Sequence, residues 1–314
     1  MSDLLSKVDA RTKLAGTNKL EILMFTLGQD QRTSRRETFG INVFKVREVL
    51  RVPPITQVPD MPPAVEGMVS LRGVLVPIID LAKYAGVDVS ARPEIMIVTE
   101  YNGHTQGFLV ESVDTILRLD WSSMKVPPDM MNANMGGLVT AVTELADGRL
   151  VMMLDVEKVL AETASVGDDD MIYKNVLPLG LANRRVFFAD DSAVARRQIE
   201  RTLDAMEVKS ISAVNGRQAW QELQKMAEYA DSSHVPLKEL IQVILTDVEM
   251  PEMDGYMLTR KIKEDKRFAN IPVVMHSSLS GSSNHQLGKT VGVDEYVSKF
   301  EPNRLAQTLA RLLK

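Results

Sequence analysis

Five polar side chains in the second half of the chain follow short apolar runs, at the places where strands are predicted to end. Asp190 and Asp191 follow the run VFFA, Asp247 follows VILT, and Ser277 and Lys299 close two later runs. The carboxyl ends of parallel strands share one edge of a sheet, and ligands bind at that edge. We therefore expect three carboxylates, one hydroxyl and one ammonium group to converge there.

This set of groups predicts phosphoryl chemistry on a metal-assisted carboxylate. Three close carboxylates repel one another, so a cation is expected among them, and oxygen ligands in a chain without cysteine favour Mg²⁺. A phosphoryl group would complete the coordination of the metal. Asp247 is then the predicted nucleophile, while Lys299 and the Ser277 hydroxyl neutralise the transferring oxygens. A single Asp at a strand end is more often a turn or cap residue, so the prediction depends on the whole set.

The elements that would position these residues alternate between strand and helix. Apolar runs lie at 186–190, 208–213, 240–247, 271–277 and 295–299, and residues with helical spacing lie at 192–206, 216–230, 255–265 and 303–314. This alternation predicts an α/β fold with a doubly wound, five-stranded parallel sheet, of flavodoxin-like type.

Residues 184–314 resemble the response-regulator receiver domain. The resemblance is carried by FFADDS, LTDVEMPEMDG, IPVVMHSS and EYVSK. It implies a phospho-acceptor (Asp247), Mg²⁺ ligands (Asp190, Asp191, Asp247 and the backbone carbonyl of Glu249), a phosphate-binding ammonium (Lys299) and a switch pair (Ser277 and Tyr296).

Two features depart from the receiver pattern. Receivers usually have a cis proline after the lysine, whereas Phe300 stands here. A cis bond to a non-proline residue costs roughly 2.5–4 kcal/mol, so this loop is predicted to be either trans and reshaped or cis and strained. Residues 224–242 also form a longer connection than most receivers need, which indicates a surface excursion or a contact for the other domain.

The first half of the chain is predicted to be all-β. Apolar runs rich in Val, Ile, Leu and Met lie at 21–27, 39–50, 68–81, 94–101, 107–121 and 148–156, and turn residues separate them. The second half of 39–50 could also be helical, and 156–163 predicts a closing helix. Within 67–81, a strand pair bends around Arg72-Gly73, and Pro77 indicates an edge strand or a bulge.

Residues 18–162 resemble the CheW-like coupling domain of bacterial chemotaxis. The matching segments are FGINVFKVREVL, SLRGVLVPIIDL and DGRLVMMLDVEKVL. The resemblance implies two small, intertwined five-stranded barrels that bind the histidine kinase and the chemoreceptor tip and have no catalytic site. It places Val46, Glu48 and Arg72 at those binding surfaces. Core packing for Val46 and a solvated turn position for Arg72 remain open alternatives.

The two resemblances together predict a domain order and a function. We expect an N-terminal tail (1–17), a coupling domain (18–162), a linker (163–184) and a receiver (185–314). The predicted protein is not an enzyme but a signalling adaptor that couples chemoreceptors to the kinase, and phosphorylation of Asp247 by that kinase modulates coupling as an adaptation device. One alternative is a phosphate sink that drains the kinase. Another is a Mg²⁺-dependent phosphatase, which Glu249 disfavours because such enzymes commonly carry a second Asp there.

Composition argues against several other classes of protein. The net charge of -5 gives no global affinity for nucleic acid or anionic membrane, and no helix-turn-helix or basic stripe follows the receiver-like region. The absence of cysteine fits a reducing compartment. The longest apolar run, VLVPII, is far shorter than the ~20 residues that span a bilayer, and the N-terminus lacks a signal-peptide pattern. We expect a cytoplasmic protein without direct membrane insertion, associated with membrane chemoreceptor arrays.

Overall fold

The computed structural model describes residues 19–101, 104–128, 137–163, 173–178, 180, 183–278, 288–299 and 301–314. The chain divides into two compact units, one mainly of residues 20–166 and the other mainly of residues 167–314, to which Lys19 and Asp120–Ser122 are also assigned. Each unit is described by itself below. Among the described residues, no helix combines the length and the apolar character needed to cross a bilayer.

The N-terminal unit contains two five-stranded sheets. Its strands are β1 (Lys19–Thr26), β2 (Thr38–Asn42), β3 (Val46–Arg51), β4 (Val65–Leu71), β5 (Val74–Asp80), β6 (Ile95–Tyr101), β7 (His104–Val110), β8 (Ser112–Asp120), β9 (Val139–Glu144) and β10 (Leu150–Leu154). The strand orders are β8-β1-β2-β10-β9 and β3-β6-β7-β5-β4. The chain leaves the first sheet after β2, builds the whole second sheet and returns at β8. This path intertwines the two sheets, as the resemblance to the CheW-like domain implies.

One apolar core joins these two sheets. Phe25 and Phe39 stack in the first sheet with ring centroids 6.1 Å apart, and they belong to the same buried cluster as Ile79, Ile97 and Phe108 of the second sheet. Full burial of one such side chain stabilises the fold by about 1.5–3 kcal/mol. Each sheet therefore depends on the other to bury much of its apolar surface.

The hairpin between β4 and β5 turns at Arg72 and Gly73, which have φ angles of 51° and 83°. Two consecutive left-handed residues form the tight turn that suits a two-residue hairpin. At Pro77 strand β5 has only one paired neighbour, because it pairs with β7 only at Ile78–Asp80, so the expected edge position is met locally. Strand β4 also has a bulge between Val65 and Gly67, and the Gly67–Ile78 pair separates this bulge from the Met68–Pro77 pair.

In the part of the N-terminal unit that the structure describes, two helices accompany the sheets: α1 (Leu81–Ala85) and α2 (Val156–Thr163). The prediction of a closing helix at 156–163 is confirmed. The second half of 39–50 is strand β3 rather than helix, and a single 3-10 turn at Val43–Lys45 separates it from β2. This break explains the mixed pattern of the segment.

The C-terminal unit is an α/β fold around one parallel sheet. Its elements are β11 (Arg185–Ala189), α3 (Ala193–Ala205), β12 (Lys209–Ala213), α4 (Gly216–Ser233), α5 (Leu237–Leu240), β13 (Val243–Thr246), α6 (Gly255–Glu264), β14 (Val273–Ser277), β15 (Glu295–Ser298) and α7 (Pro302–Leu312). All pairings are parallel, in the order β12-β11-β13-β14-β15. The predicted five-stranded parallel sheet is confirmed.

Helices cover both faces of this sheet. Phe187 and Phe188 are neighbours in β11, so their side chains point to opposite faces. Phe187 shares a buried cluster with Leu223 of α4, whereas Phe188 shares another with Ile199 of α3 and Leu309 of α7. Burial on both faces explains why the strands are continuous apolar runs.

The long connection at 224–242 is mostly helix. α4 continues to Ser233, and His234 ends it in the left-handed conformation with a φ of 55°. After it, Leu237 of α5 and Ile241 are buried in the cluster that contains Phe187. The extra residues therefore extend a helix and add a packed turn.

Candidate functional site

The strand register places two of the predicted carboxylates side by side. Ala189 of β11 pairs with Thr246 of β13, and the next residue on each strand is Asp190 and Asp247. The backbone N–H of Asp247 donates to the Ala189 carbonyl at 2.8 Å. One carboxylate oxygen from each of Asp190, Asp191 and Asp247 lies within 4.8 Å of the other two. The sheet edge thus brings the acidic set together.

Lys299 lies between two of these carboxylates. Its Nζ is 2.9 Å from Asp190 Oδ2 and 3.0 Å from Asp247 Oδ2, and the lysine side chain is only 1% exposed. Its backbone N–H donates to the Ser277 carbonyl at 3.1 Å, which ties the end of β15 to β14. Attraction to two carboxylates offsets the desolvation of a fully buried ammonium group.

Backbone donors fix the orientation of both buried carboxylates. Asp190 Oδ1 accepts from the Ser192 N–H at 2.9 Å, and Asp247 Oδ1 accepts from the Val248 N–H at 2.6 Å. The other oxygen of each carboxylate therefore faces Lys299. Because these contacts use backbone groups, the local fold sets the geometry of the acidic pair.

The donor set fits a hard divalent cation. Asp190, Asp191 and Asp247 offer only oxygen atoms and carry three formal negative charges, whereas Lys299 supplies one positive charge. Arg196 approaches the same place, but its Nη1 donates to the backbone carbonyls of Asp190 and Asp191, at 2.8 Å each. Negative charge remains in excess, and this chemistry suits a Mg²⁺-like ion.

The predicted switch pair lies on the two strands beyond β13. Ser277 ends β14, Tyr296 is the second residue of β15, and both side chains are buried. Burial raises the pKa of Tyr296 above its ordinary value, although a hydrogen bond from Ser277 opposes that shift. The phenol is therefore neutral at physiological pH and keeps a proton to donate.

The loop after Asp247 turns back on itself at Gly255. The Gly255 N–H donates to the Val248 carbonyl at 2.9 Å. A Cβ on Gly255 would lie 1.9 Å from the Asp247 carbonyl oxygen, so only glycine allows α6 to begin this close to the site. Glu249, whose carbonyl is a predicted metal ligand, is buried in the same loop.

The residues predicted to bind partners lie in the second sheet of the N-terminal unit. Arg72 Nη2 donates to Glu48 Oε2 at 2.8 Å, and the Arg72 side chain is 71% exposed. Their strands lie towards opposite ends of the strand order, and a bridge between Thr56 and Met68 also joins these ends. Both contacts link the two ends of the sheet. Val46 is half-buried against the shared core, so core packing accounts for at least part of its role.

Comparison with known proteins relates each unit to a family. The family model of the CheW-like domain matches residues 21–164, and that of the response regulator receiver domain matches residues 186–310. Chemotaxis protein CheW of Klebsiella aerogenes is 32% identical over 159 residues, which cover 48% of this chain and 87% of that protein. Chemotaxis protein CheY1 of Helicobacter pylori is 30% identical over 131 residues, which cover 41% of this chain and 96% of that protein.

A third relative matches both the CheW-like domain and the receiver domain of this chain. Chemotaxis protein CheV3 of Helicobacter pylori is 29% identical over 303 residues, which cover 94% of this chain and 95% of that protein. The chain belongs to the CheW-like and receiver families, joined in the CheV arrangement. A CheV-type chain has the architecture of a chemotaxis coupling adaptor with a receiver domain.

Three expectations about the CheV-type chain fall wholly or partly outside the described residues. The predicted N-terminal tail at 1–17 is one, and Phe300, with the state of the bond that follows Lys299, is another. The third is the predicted linker at 163–184, of which the structure describes 163, 173–178, 180, 183 and 184. The roles assigned to the receiver residues and to Val46, Glu48 and Arg72 stay predictions.

Sequence reasoning missed two residues that shape the receiver site. Arg196 lies in the first turn of α3, six residues after Asp190, and a basic residue at that spacing was the available signal. Asp254 is buried and caps α6 by accepting from the Met257 N–H at 2.6 Å. Its position directly before Gly255 at the start of a helical pattern could have predicted this cap.

Asp254 makes the stability of the receiver depend on pH. Burial raises its pKa to about 6, so the folded state binds this proton more tightly than the unfolded state does. The stability gained by protonation is present below about pH 4 and is lost as the pH rises to about 6. We expect Asp254→Asn to be more stable than the wild type at pH 7.5 by on the order of 2 kcal/mol, since Asn caps equally well.

Urea unfolding of the full chain at pH 4 and pH 7.5 measures this difference. Asp265→Asn is the matched control, because the hydrogen bond from Arg267 lowers the pKa of Asp265 and gives that variant the opposite pH trend. Equal stability of Asp254→Asn and the wild type at both pH values would contradict the assignment.

Proposed function

We propose that this chain is a chemotaxis adaptor that couples chemoreceptors to the histidine kinase and is regulated by phosphorylation of Asp247. One observation carries the proposal. Lys299 bridges Asp190 and Asp247 beside Asp191, in the same chain as a CheW-like domain. The acidic site supports phosphoryl acceptance, and the CheW-like domain supports docking to receptor and kinase. Such an adaptor acts at the cytoplasmic side of membrane receptor arrays.

Asp247 is the nucleophile in the proposed transfer. A carboxylate oxygen attacks the phosphorus atom of the kinase phosphohistidine, the P–N bond breaks, and the imidazole nitrogen keeps the electron pair and takes a proton. The product on Asp247 is an acyl phosphate. The Val248 N–H holds one carboxylate oxygen, and Lys299 neutralises charge beside the other.

The site also has the ligands that a metal would need. The side chains of Asp190, Asp191 and Asp247 and the backbone carbonyl of Glu249 would hold Mg²⁺. When bound, the ion would offset the charge of the phosphoryl oxygens. The chain is not proposed to be an enzyme, because hydrolysis of its own acyl phosphate is the only turnover that the site requires.

The proposed response begins at Ser277. Its hydroxyl turns towards the phosphoryl oxygens and releases Tyr296, to which it is hydrogen-bonded in this structure. Reorientation of Tyr296 then biases a two-state surface formed by β14, β15 and α7. A change in that surface alters coupling and serves as adaptation.

Arg72 provides a test of the docking surface. We expect Arg72→Ala to weaken binding to receptor and kinase at least fivefold while the melting temperature of the chain stays the same. The reason for the unchanged melting temperature is that an exposed ion pair contributes about 0–1 kcal/mol to stability. Cosedimentation with receptor-containing membranes and kinase measures the binding.

Arg149→Ala is the matched control for this test. Arg149 also lies at an exposed hairpin turn, where its Nε is 2.7 Å from Asp147 Oδ2. If both variants bind like the wild type, Arg72 is a solvated turn residue.

Transfer from the kinase tests the proposed function as a whole. Kinase carrying ³²P on its histidine is mixed with the full chain, and both proteins are followed on gels. We expect the label to move to this chain, and the chain to sediment with receptor and kinase whether or not it is labelled. A chain that takes no label, or one that does not sediment with them, would contradict the proposal.

A further inference from the structure

Tyr256 is a buried residue of the receiver that the proposed phosphorylation reaction does not use. It is the second residue of α6, directly after Gly255, and its side chain is 2% exposed. Its hydroxyl has no hydrogen-bond partner among the described residues. Buried polar groups are rarely left without a partner, and those that are call for an explanation.

The surroundings of this phenol belong to the switch. Of the titratable groups that act electrostatically on Tyr256, Tyr296 has the largest effect, followed by Asp254, Glu249 and Asp247. Burial raises the pKa of Tyr256, so its hydroxyl keeps both a proton to donate and lone pairs to accept. Tyr296, in contrast, already has a partner, the hydroxyl of Ser277.

Phosphorylation would change this arrangement of hydroxyl groups. Ser277 has one hydroxyl proton, and the phosphoryl oxygens compete for it with Tyr296. Once Ser277 donates to the phosphoryl group, the buried Tyr296 hydroxyl needs another partner, because an unpaired buried hydroxyl opposes the change. Tyr256 has a buried hydroxyl with no partner among the described residues, and Tyr296 is the titratable group that acts on it most strongly.

We propose that Tyr256 is a positioning residue of the switch, whose hydroxyl pairs with the Tyr296 hydroxyl when Ser277 turns to the phosphoryl group. This inference rests on the proposed phosphorylation of Asp247. The exchange gains one hydrogen bond: one Ser277–Tyr296 bond is lost, and a Ser277–phosphoryl bond and a Tyr256–Tyr296 bond form. The Tyr256 hydroxyl therefore stabilises the phosphorylated state selectively.

Tyr256→Phe tests the inference because it removes one hydroxyl and keeps the ring. Beryllofluoride with Mg²⁺ is the probe, and the bound fluorine signal in ¹⁹F NMR of the full chain gives the half-saturating concentration. We expect this concentration to rise about fivefold, the factor that corresponds to one ordinary net hydrogen bond. The melting temperature of the unliganded variant is expected to stay the same or to rise, since the lost hydroxyl has no partner there.

Two further variants separate the inference from a merely structural role. In a Tyr296→Phe background, Tyr256→Phe is expected to add no further shift, because the bond between the two hydroxyls is already lost. Tyr229→Phe, at an exposed position of α4, is expected to leave half-saturation unchanged. An unchanged half-saturation in Tyr256→Phe, or equal shifts in both backgrounds, would overturn the inference alone. Failure of the wild type to bind beryllofluoride would overturn the proposed function and the inference with it.

Discussion

Asp247→Ala is expected to abolish acyl-phosphate formation, both from phosphorylated kinase and from acetyl phosphate. The substitution removes the attacking oxygen, and neither Asp190 nor Asp191 can replace it if these carboxylates serve the metal and Lys299. The fold is expected to survive, because Lys299 keeps Asp190 as an ion-pair partner at 2.9 Å. Phosphate-affinity gels measure the labelling, and cosedimentation with receptor and kinase shows that docking is intact.

Asp265→Ala serves as the control for this experiment. Asp265 belongs to the same unit but lies at the C-terminal end of α6, away from the sheet edge that holds Asp247. There it forms an ion pair with Arg267. That variant is expected to be labelled like the wild type. Labelling of Asp247→Ala at the wild-type level would place the phosphoryl group on another residue.

Lys299→Met is expected to lower the free energy of unfolding of the receiver by about 3–5 kcal/mol in EDTA, the usual effect of removing one partner of a buried ion pair. Methionine fills a similar volume but leaves Asp190 and Asp247 buried and facing each other without the cation between them. Millimolar Mg²⁺ is expected to recover part of the loss and to stabilise the variant more than the wild type. Transfer to Asp247 is expected to slow about 10²–10³-fold.

Urea unfolding followed by Trp220 fluorescence measures this effect in the full chain, with Trp121, the other tryptophan, replaced by Phe in every protein. Lys263→Met is the control, because Lys263 forms a more accessible ion pair with Asp294 at 2.6 Å and should contribute no more than about 1 kcal/mol. Equal stability of Lys299→Met and the wild type in EDTA would show that the ion pair does not hold the site together.

The acidic site was predictable because it depends on topology alone. Parallel strands end at one edge, so Asp190, Asp247, Ser277 and Lys299 could be placed together from the positions at which apolar runs stop. The same reasoning cannot give distances. Only the structure shows that Lys299 bridges both carboxylates. It also shows that a Cβ on Gly255 would clash with the Asp247 carbonyl oxygen.

The N-terminal unit was less predictable because its strands are short and their partners are distant in sequence. β9 (Val139–Glu144) was missed, although its Val and Thr residues favour a strand. Helix α1 has only five residues, too few for a helical period. The contact between Glu48 and Arg72 links β3 to the turn between β4 and β5, and three strands lie between β3 and β4 in the sheet. Local sequence patterns carry no information on such contacts.

The most direct test of the account is the activity of the kinase in reconstituted receptor arrays that contain this chain. Arrays with the wild type or with Asp247→Ala are compared before and after treatment with acetyl phosphate, which phosphorylates the receiver without drawing on the kinase. If phosphorylation of Asp247 regulates coupling, acetyl phosphate changes kinase activity in wild-type arrays and leaves Asp247→Ala arrays unchanged. Kinase activity that stays the same in wild-type arrays, despite full labelling of Asp247, would contradict regulated coupling and favour a phosphate sink.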